Sequence, residues 1–422
     1  MNIMVIGGGG REHAIICTLK KSPLTDKIYA LPGNGGISKA AECVGISATD
    51  IDGIVEFAKT HKIDLAAVIP DDPLAMGAAD RLRELGIPCF GPSKAAAIIE
   101  SSKAFSKKLM KKYGIPTAKY ETFTDPAKAI EYVKKHRLPV VIKADGLALG
   151  KGVIIAETHE EAVNAVNDMM CGDKFGASGH TVVIEEFLEG PEVSVLTFTD
   201  GKTIIPMPAS MDHKRIYDGD NGLNTGGMGV IAPNPCYTDA VAEETMRKII
   251  RPTIEAMNKE GRTFKGCLYF GLMVTEDGPK VIEYNCRFGD PETQAVLPLL
   301  KSDLVRIMLA TESGTLEDTP VEFENSASCC LVLASGGYPE KYEKGKEIKF
   351  GKLPKDVEVF HAGTKLADGK FFTCGGRVLG ITAVRSTLKE AIEACYATAS
   401  EIEFENKYAR TDIGQRALSY LK

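Results

Sequence analysis

The chain has 422 residues, 44% hydrophobic and 26% charged, with a net charge of −6 at pH 7. This is the composition of an ordinary globular protein, with room for roughly three domains. The acidic balance without a basic stripe argues against a nucleic-acid partner, and no apolar run is long enough for a bilayer. The 11 cysteines form no Cys-x-x-Cys pair and no disulfide framework, so buried free thiols are expected. Met1-Asn2-Ile3-Met4-Val5-Ile6 runs into glycines without a basic leader, which is read as cytoplasmic.

From Met1 to about Ser101, short β-rich runs alternate with helical ones. Strands are expected at Ile3 to Ile6, Lys27 to Leu31, Leu65 to Ile69 and Pro88 to Phe90. Helices are expected at about Glu12 to Lys21, from Asp50, and up to about Gly86. Such alternation predicts a parallel sheet wrapped by helices. Its ligands sit outside the carboxyl ends of the strands, where Gly7 to Gly10, Pro32-Gly33-Asn34 and Pro70-Asp71-Asp72 fall.

A second unit, 102–320, opens with Ser102 as cap for a helix from Lys103 to Tyr113, ended by Gly114 and Pro116. A small α+β lobe is expected at about 120–190, with strands Val140 to Ala144, Val153 to Ala156 and Val182 to Phe187 and helices near 125–136 and 160–170. A hairpin turns at Asp200-Gly201. The polar, Gly-rich stretch Ala209 to Pro235 is expected as a long functional loop without structure of its own. A helix of about twenty residues from Asp239 follows, then antiparallel strands Cys267 to Thr275 and Lys280 to Asn285, then helices near 292–299 and 303–312. Glu317 to Asn325 looks like a linker, and 326–422 reads as a small, mainly β domain with one helix at about Leu388 to Glu403. The fold class is thus α/β, with three domains.

Four constellations carry chemistry. Gly7-Gly8-Gly9-Gly10 joins a strand to a helix and suits a phosphate through exposed amides and the helix dipole. It fails the Gly-x-Gly-x-x-Gly dinucleotide spacing, since Glu12 or His13 stands at the last position; a merely tight packing turn is its plainer use. Lys143-Ala144-Asp145-Gly146-Leu147-Ala148-Leu149-Gly150-Lys151-Gly152 offers glycines for close approach to a polyphosphate and two lysines for its charge, without being a Walker A loop. Glu185-Glu186-Phe187-Leu188-Glu189-Gly190-Pro191-Glu192 could present backbone to an adenine edge and Glu192 to ribose hydroxyls, although acidic strand ends are usually just solvated. Glu283 and Asn285, two apart on a strand, point their oxygens to one face and suit Mg²⁺ bridging ATP phosphates, with Arg287 next to them.

In this order the motifs resemble the ATP-grasp superfamily. Three stretches resemble the glycinamide ribonucleotide synthetase family within it: Gly9-Gly10-Arg11-Glu12-His13-Ala14; Asp212-His213-Lys214-Arg215 with Asn224-Thr225-Gly226-Gly227-Met228-Gly229; and Asn285-Cys286-Arg287-Phe288-Gly289-Asp290-Pro291-Glu292-Thr293-Gln294. His361-Ala362-Gly363-Thr364 and Gly375-Gly376-Arg377-Val378 also fit. The resemblance implies a two-lobed ATP-grasp domain at 102–320 and an N-terminal substrate-binding domain at 1–101. It implies that Lys103, Lys143, Gly150, Lys151, Gly152, Glu185, Glu186, Leu188 and Glu192 hold ATP, and that Glu283 and Asn285 hold Mg²⁺ or Mn²⁺. Substrates would meet Gly9, Gly10, Arg11, Gly33, Asn34, Lys214, Thr225, Gly226, Arg287 and Asp290, with Arg287, Lys143 and Asp212 in catalytic roles. One departure is Ile69-Pro70-Asp71 where the family has Gly-Pro-Glu; the shorter acid keeps the charge and loses reach, so Asp71 is left outside the expected site.

The implied activity is ATP-dependent ligation of glycine to phosphoribosylamine through glycyl phosphate, by a monomer or weak homo-oligomer without nucleic-acid or membrane partners. The alternative is an ATP-grasp carboxylase or a ligase for another small substrate. A nicotinamide oxidoreductase is disfavoured by the failed fingerprint, and a binding-only module by the presence of Lys143, Glu283 and Arg287 together.

Overall fold

The computed structural model describes residues 1–147, 152–172 and 178–421. The N-terminal sheet is wholly parallel, in the order Glu42–Cys43, Lys27–Pro32, Asn2–Gly7, Leu65–Val68, Cys89–Phe90. Its central strands are buried on both faces, as the apolar runs Ile3 to Ile6 and Leu65 to Val68 require. The first helix, Gly10–Leu19, starts straight from the glycine run, with Glu12 reaching back to the amide of Gly9. The expected single helix up to Gly86 is instead two, Asp71–Met76 and Ala78–Glu84. They are divided at Gly77, whose φ of 93° is left-handed.

The middle of the chain forms two antiparallel four-stranded sheets. The smaller lobe orders Tyr120–Phe123, Val182–Glu186, Val140–Ala144 and Val153–Ala156; the larger orders Ile204–Pro206, Glu192–Thr199, Gly266–Thr275 and Gly278–Asn285. The smaller lobe closes its own core around Ile142, Val166, Val182 and Ile184. The larger lobe shares both of its cores with the N-terminal sheet. A lobe with a private core can move as one body against a fixed frame. The helix Lys103–Tyr113 begins where expected, with the Ser102 hydroxyl accepting from the amide of Phe105 and Gly114 closing it in the left-handed region. The helical run from Asp239 reaches Lys259 but carries a π turn at Met246–Ile250. Pro252, two residues beyond it, has no amide to donate, which favours such widening.

The stretch Ala209 to Pro235 departs from its expected lack of structure. Met211–Asp212 and Gly229–Ala232 are strands, and Arg215–Tyr217 pairs with Asn221–Asn224 as a hairpin. Met211–Asp212 pairs with Gly229–Ala232, which adds to Ala327–Ser335 in a sheet continued by Arg377–Arg385 and Val357–His361. Met211, Ile216, Met228 and Ile231 are accordingly part of the C-terminal core, with Leu331, Ile381 and the helix Leu388–Ala399. All 11 cysteines are free, as expected, but Cys43 and Cys171 are exposed. Among the described residues no helix is long and apolar enough to cross a membrane.

Candidate active site

The strand Gly278–Asn285 organises the site. It pairs with Gly266–Thr275, but the register slips between Gly271 opposite Glu283 and Leu272 opposite Val281, leaving Ile282 as an extra, bulged residue. A bulged carbonyl is released from the ladder, and Ile282 O accepts from Lys143 Nζ at 3.0 Å. Lys143, on the facing strand of the smaller lobe, is thereby brought to the residue next to Glu283. Beyond the bulge the period of two holds: Tyr284 is buried against Thr253, while Glu283 and Asn285 look the other way and stay half-buried.

Lys143 is further held by Glu185, whose Oε1 lies 3.0 Å from Nζ in an ion pair too oblique for a hydrogen bond. The other oxygen of Glu185 pairs with Lys107 at 2.9 Å, and Lys107 also donates to Thr117. Burial pushes the Lys107 ammonium down to about 8, against the pull of Glu185. The Glu185 side chain thus organises lysines, and Lys107 is a member of the site that sequence reasoning missed. Glu186 turns its carboxylate onto the amide of Lys119 at 2.9 Å, and Leu188 is half-buried in the segment between the lobes. That segment presses close on the larger lobe: a Cβ on Gly190 would lie 2.2 Å from Val274 O. Lys103 donates to Gly146 O at 2.8 Å, and Asp145 accepts from Ser102 and from the amide of Ala104, so the start of the glycine-rich loop is tied to the helix Lys103–Tyr113. Gly152 is buried, its carbonyl taking the amide of Ala144. Gly150 and Lys151 lie outside the described residues.

Lys214 comes to the same place from the far side, 3.1 Å from Glu192 and 3.7 Å from Glu283. Burial opposes its charge, but Glu192, Glu283, Tyr269 and Asp212 hold it well above the usual range. Burial would likewise raise Glu283, yet Lys214, Lys143, Lys103 and Arg287 keep its carboxyl below the usual range. Asp212 goes the opposite way, pushed well up by burial and by the nearby Glu292, and its buried Oδ1 has no partner among the described residues. Arg287 pairs with Glu100 at 3.1 Å. Burial disfavours its charge, but Glu100 and Asp71 fix it. The charge of Asp71, outside the expected site, thus reaches Arg287 without an ion-pair contact.

Beside this cationic strip lies a cavity of about 370 Å³. Gly8, Gly9, Gly33, Asn34 and Asp290 line one side; Tyr338, Thr364, Cys374 and Arg377, from the C-terminal region, line the other. Asn34 spends its amide on structure, donating to Gly8 O and His361 O and accepting from the amides of Gly36 and Ile37. Arg11 is directed to Glu12 and Phe288 O, and Gly10 packs on Gln294. Thr225 bonds Lys214 O and the amide of Gly227. Arg377 joins the two halves, donating to Gly226 O at 2.6 Å and Asp290 O at 2.7 Å and pairing with the Asp290 carboxylate at 3.1 Å. The Gly-Gly-Arg stretch was the signal for Arg377, but no local pattern says what it grips.

Four cations act on one carboxylate next to an open cavity, an arrangement that can hold a polyphosphate against a second substrate. Three family models, described as the N domain, the ATP-grasp (A) domain and the C domain of phosphoribosylglycinamide synthetase, match residues 1–100, 101–293 and 328–416. The chain belongs to the phosphoribosylglycinamide synthetase family. A phosphoribosylamine–glycine ligase of Yersinia pestis is 48% identical over 427 aligned positions, covering 99% of each chain. The crystal structure of the phosphoribosylamine–glycine ligase of Thermotoga maritima superposes with a TM-score of 0.85 at 35% identity, covering 98% of this chain and all of that one. A biotin carboxylase of Campylobacter jejuni reaches a TM-score of 0.75 at 14% identity, covering 96% of this chain and 92% of that one, a likeness of fold alone. The parallel N-terminal sheet, the two-lobed ATP-grasp middle and the antiparallel C-terminal sheet are those of this family.

Proposed function

We propose that this chain joins glycine to 5-phosphoribosylamine with consumption of ATP, yielding glycinamide ribonucleotide, ADP and phosphate, as a step of purine biosynthesis in the cytoplasm. The observation that carries the reading is the meeting of Lys143 with the bulged strand next to Glu283, within a chain that matches the ligase family over its whole length. The alternative carboxylase activity shares only the fold at 14% identity.

A free carboxylate is too poor an acyl donor to form an amide, so glycine must first attack the γ-phosphorus of ATP. Lys103, Lys143 and Lys214 offset charge on the phosphates as the P–O bond to ADP breaks. Glu283 and Asn285 would hold the metal; among the described residues no three His, Cys, Asp or Glu side chains cluster for one. Such a sparse set fits Mg²⁺, which keeps water and phosphate oxygens as its other ligands, and Mn²⁺ can take the same place. When bound, the ion supplies charge neutralisation across the phosphates. The phosphoribosylamine nitrogen then attacks the glycyl phosphate carbonyl, and phosphate leaves. Arg287 faces the oxygen that gains charge. Asp212, whose buried Oδ1 has no partner among the described residues, takes the proton the nitrogen sheds. The sugar phosphate lies in the glycine-lined cavity at the start of the helix Gly10–Leu19. Closure of the smaller lobe excludes water, which would hydrolyse the mixed anhydride. The chain does this as a monomer or weak homo-oligomer.

The test is ADP formation that requires both glycine and freshly generated phosphoribosylamine, with the amide product detected by mass. Turnover driven by bicarbonate without glycine would favour the carboxylase reading. Glu283→Gln should abolish ligation, and near-normal activity of that variant would remove the metal assignment.

A further inference from the structure

Glu100 belongs to none of the motifs above. It sits in the last turn of the helix Lys94–Ser101, only 9% exposed. A carboxylate there faces the negative end of the helix dipole, and burying it costs more still, so helix stability alone would favour an alanine. Its two oxygens are both spent on the segment after the metal-site strand: Oε1 lies 3.1 Å from Arg287 Nη2, and Oε2 accepts from the amide of Cys286 at 2.7 Å. One carboxylate thus grips the backbone before Arg287 and the guanidinium itself. Arg287 Nη1 donates to Phe288 O at 3.2 Å, while Nε has no partner among the described residues. The guanidinium is anchored along one edge, which fixes the direction of its remaining donors.

We propose that Glu100 is a positioning residue that aims the Arg287 guanidinium at the acyl phosphate oxygens. The proposal rests on the reading of Arg287 as a catalytic residue. The contact also links the N-terminal domain, where Glu100 resides, to the ATP-grasp chemistry, so the two domains must be docked for Arg287 to point correctly. Glu100, Asp71 and Glu292 act on the charge of this arginine, which in turn acts on Glu283 and Asp290, and only Glu100 is in ion-pair contact with it.

Glu100→Gln keeps the volume and an acceptor for the Cys286 amide but removes the charged anchor of the guanidinium. Misplacement of a reacting group by about 1 Å costs on the order of 100-fold in rate, so kcat should fall by about that factor while the KM for ATP stays near wild type. Arg287→Ala tests the underlying reading separately, since full activity in that variant would remove Arg287 from the chemistry. With Arg287→Ala inactive, added guanidinium should restore part of the turnover, held in the vacated space by the Glu100 carboxylate. The same ion should fail in Arg287→Ala/Glu100→Gln. If Glu100→Gln alone does not fold because its buried arginine is stranded, the double variant lacks that cation and the rescue comparison decides. Unchanged kcat in Glu100→Gln, or equal rescue in the two Arg287→Ala backgrounds, would overturn the proposal.

Discussion

Replacing Arg377 by methionine should loosen the C-terminal region from the site while leaving each part folded. The arginine donates to Gly226 O at 2.6 Å and Asp290 O at 2.7 Å and pairs with Asp290 at 3.1 Å. Breaking a buried pair costs about 3–5 kcal/mol. Its side chain is 20% exposed and that of Asp290 19%, so water repays part of the loss and about 2–4 kcal/mol is the better figure. An unfolding entropy of about 2.1 cal/mol/K per residue gives about 0.9 kcal/mol/K for a chain of 422 residues. The midpoint should then drop by about 2–4 °C if the chain melts as one unit, and by more if the C-terminal region melts alone. Asp290 and Arg377 both border the 370 Å³ cavity, so the KM for phosphoribosylamine should rise by about tenfold or more while that for ATP holds. Arg377→Lys, which keeps the charge but not the planar fork, should fall between. Calorimetry and initial rates measure both quantities. A midpoint within 1 °C of wild type, with an unchanged KM for phosphoribosylamine, would refute the clamp.

Two further outcomes are expected. In Gly8→Ala the new methyl would lie 2.4 Å from Gly33 O, a backbone atom that cannot swing away. The cavity wall must shift, raising the KM for phosphoribosylamine with little change in circular dichroism; an unaltered KM would show that the glycine run does not bind the sugar phosphate. Burial pushes His13 and His213 down to about 4 and His361 to about 3, from 6.5. The unfolded chain therefore binds more protons, so stability is full above pH 6.5 and is lost as pH falls toward 4 and below, at up to about 1.4 kcal/mol per pH unit for each ring. His361→Gln should flatten that slope in a thermal titration, and an identical slope would mean that the ring carries charge in the fold.

Local patterns in the chain were enough for the parallel N-terminal sheet, for the cap of Ser102 on the helix Lys103–Tyr113 and for the shared face of Glu283 and Asn285. Each of these depends on apolar periodicity, capping or side-chain alternation within a few residues. The stretch Ala209 to Pro235 was misjudged because its strands are two to four residues long. That is too short for a period to appear, and Gly229–Ala232 is a strand chiefly because Ala327–Ser335 lies beside it.

The motifs in their chain order were therefore sufficient for the resemblance to the synthetase family, and that resemblance implied the chemistry. Where those residues meet was settled only by the fold. The bulge at Ile282 that receives Lys143, the grip of Glu100 on Arg287 and the clamp of Arg377 on Asp290 each join side chains far apart in sequence. Their strength comes from exclusion of water, and burial is a property of the packed whole rather than of any segment.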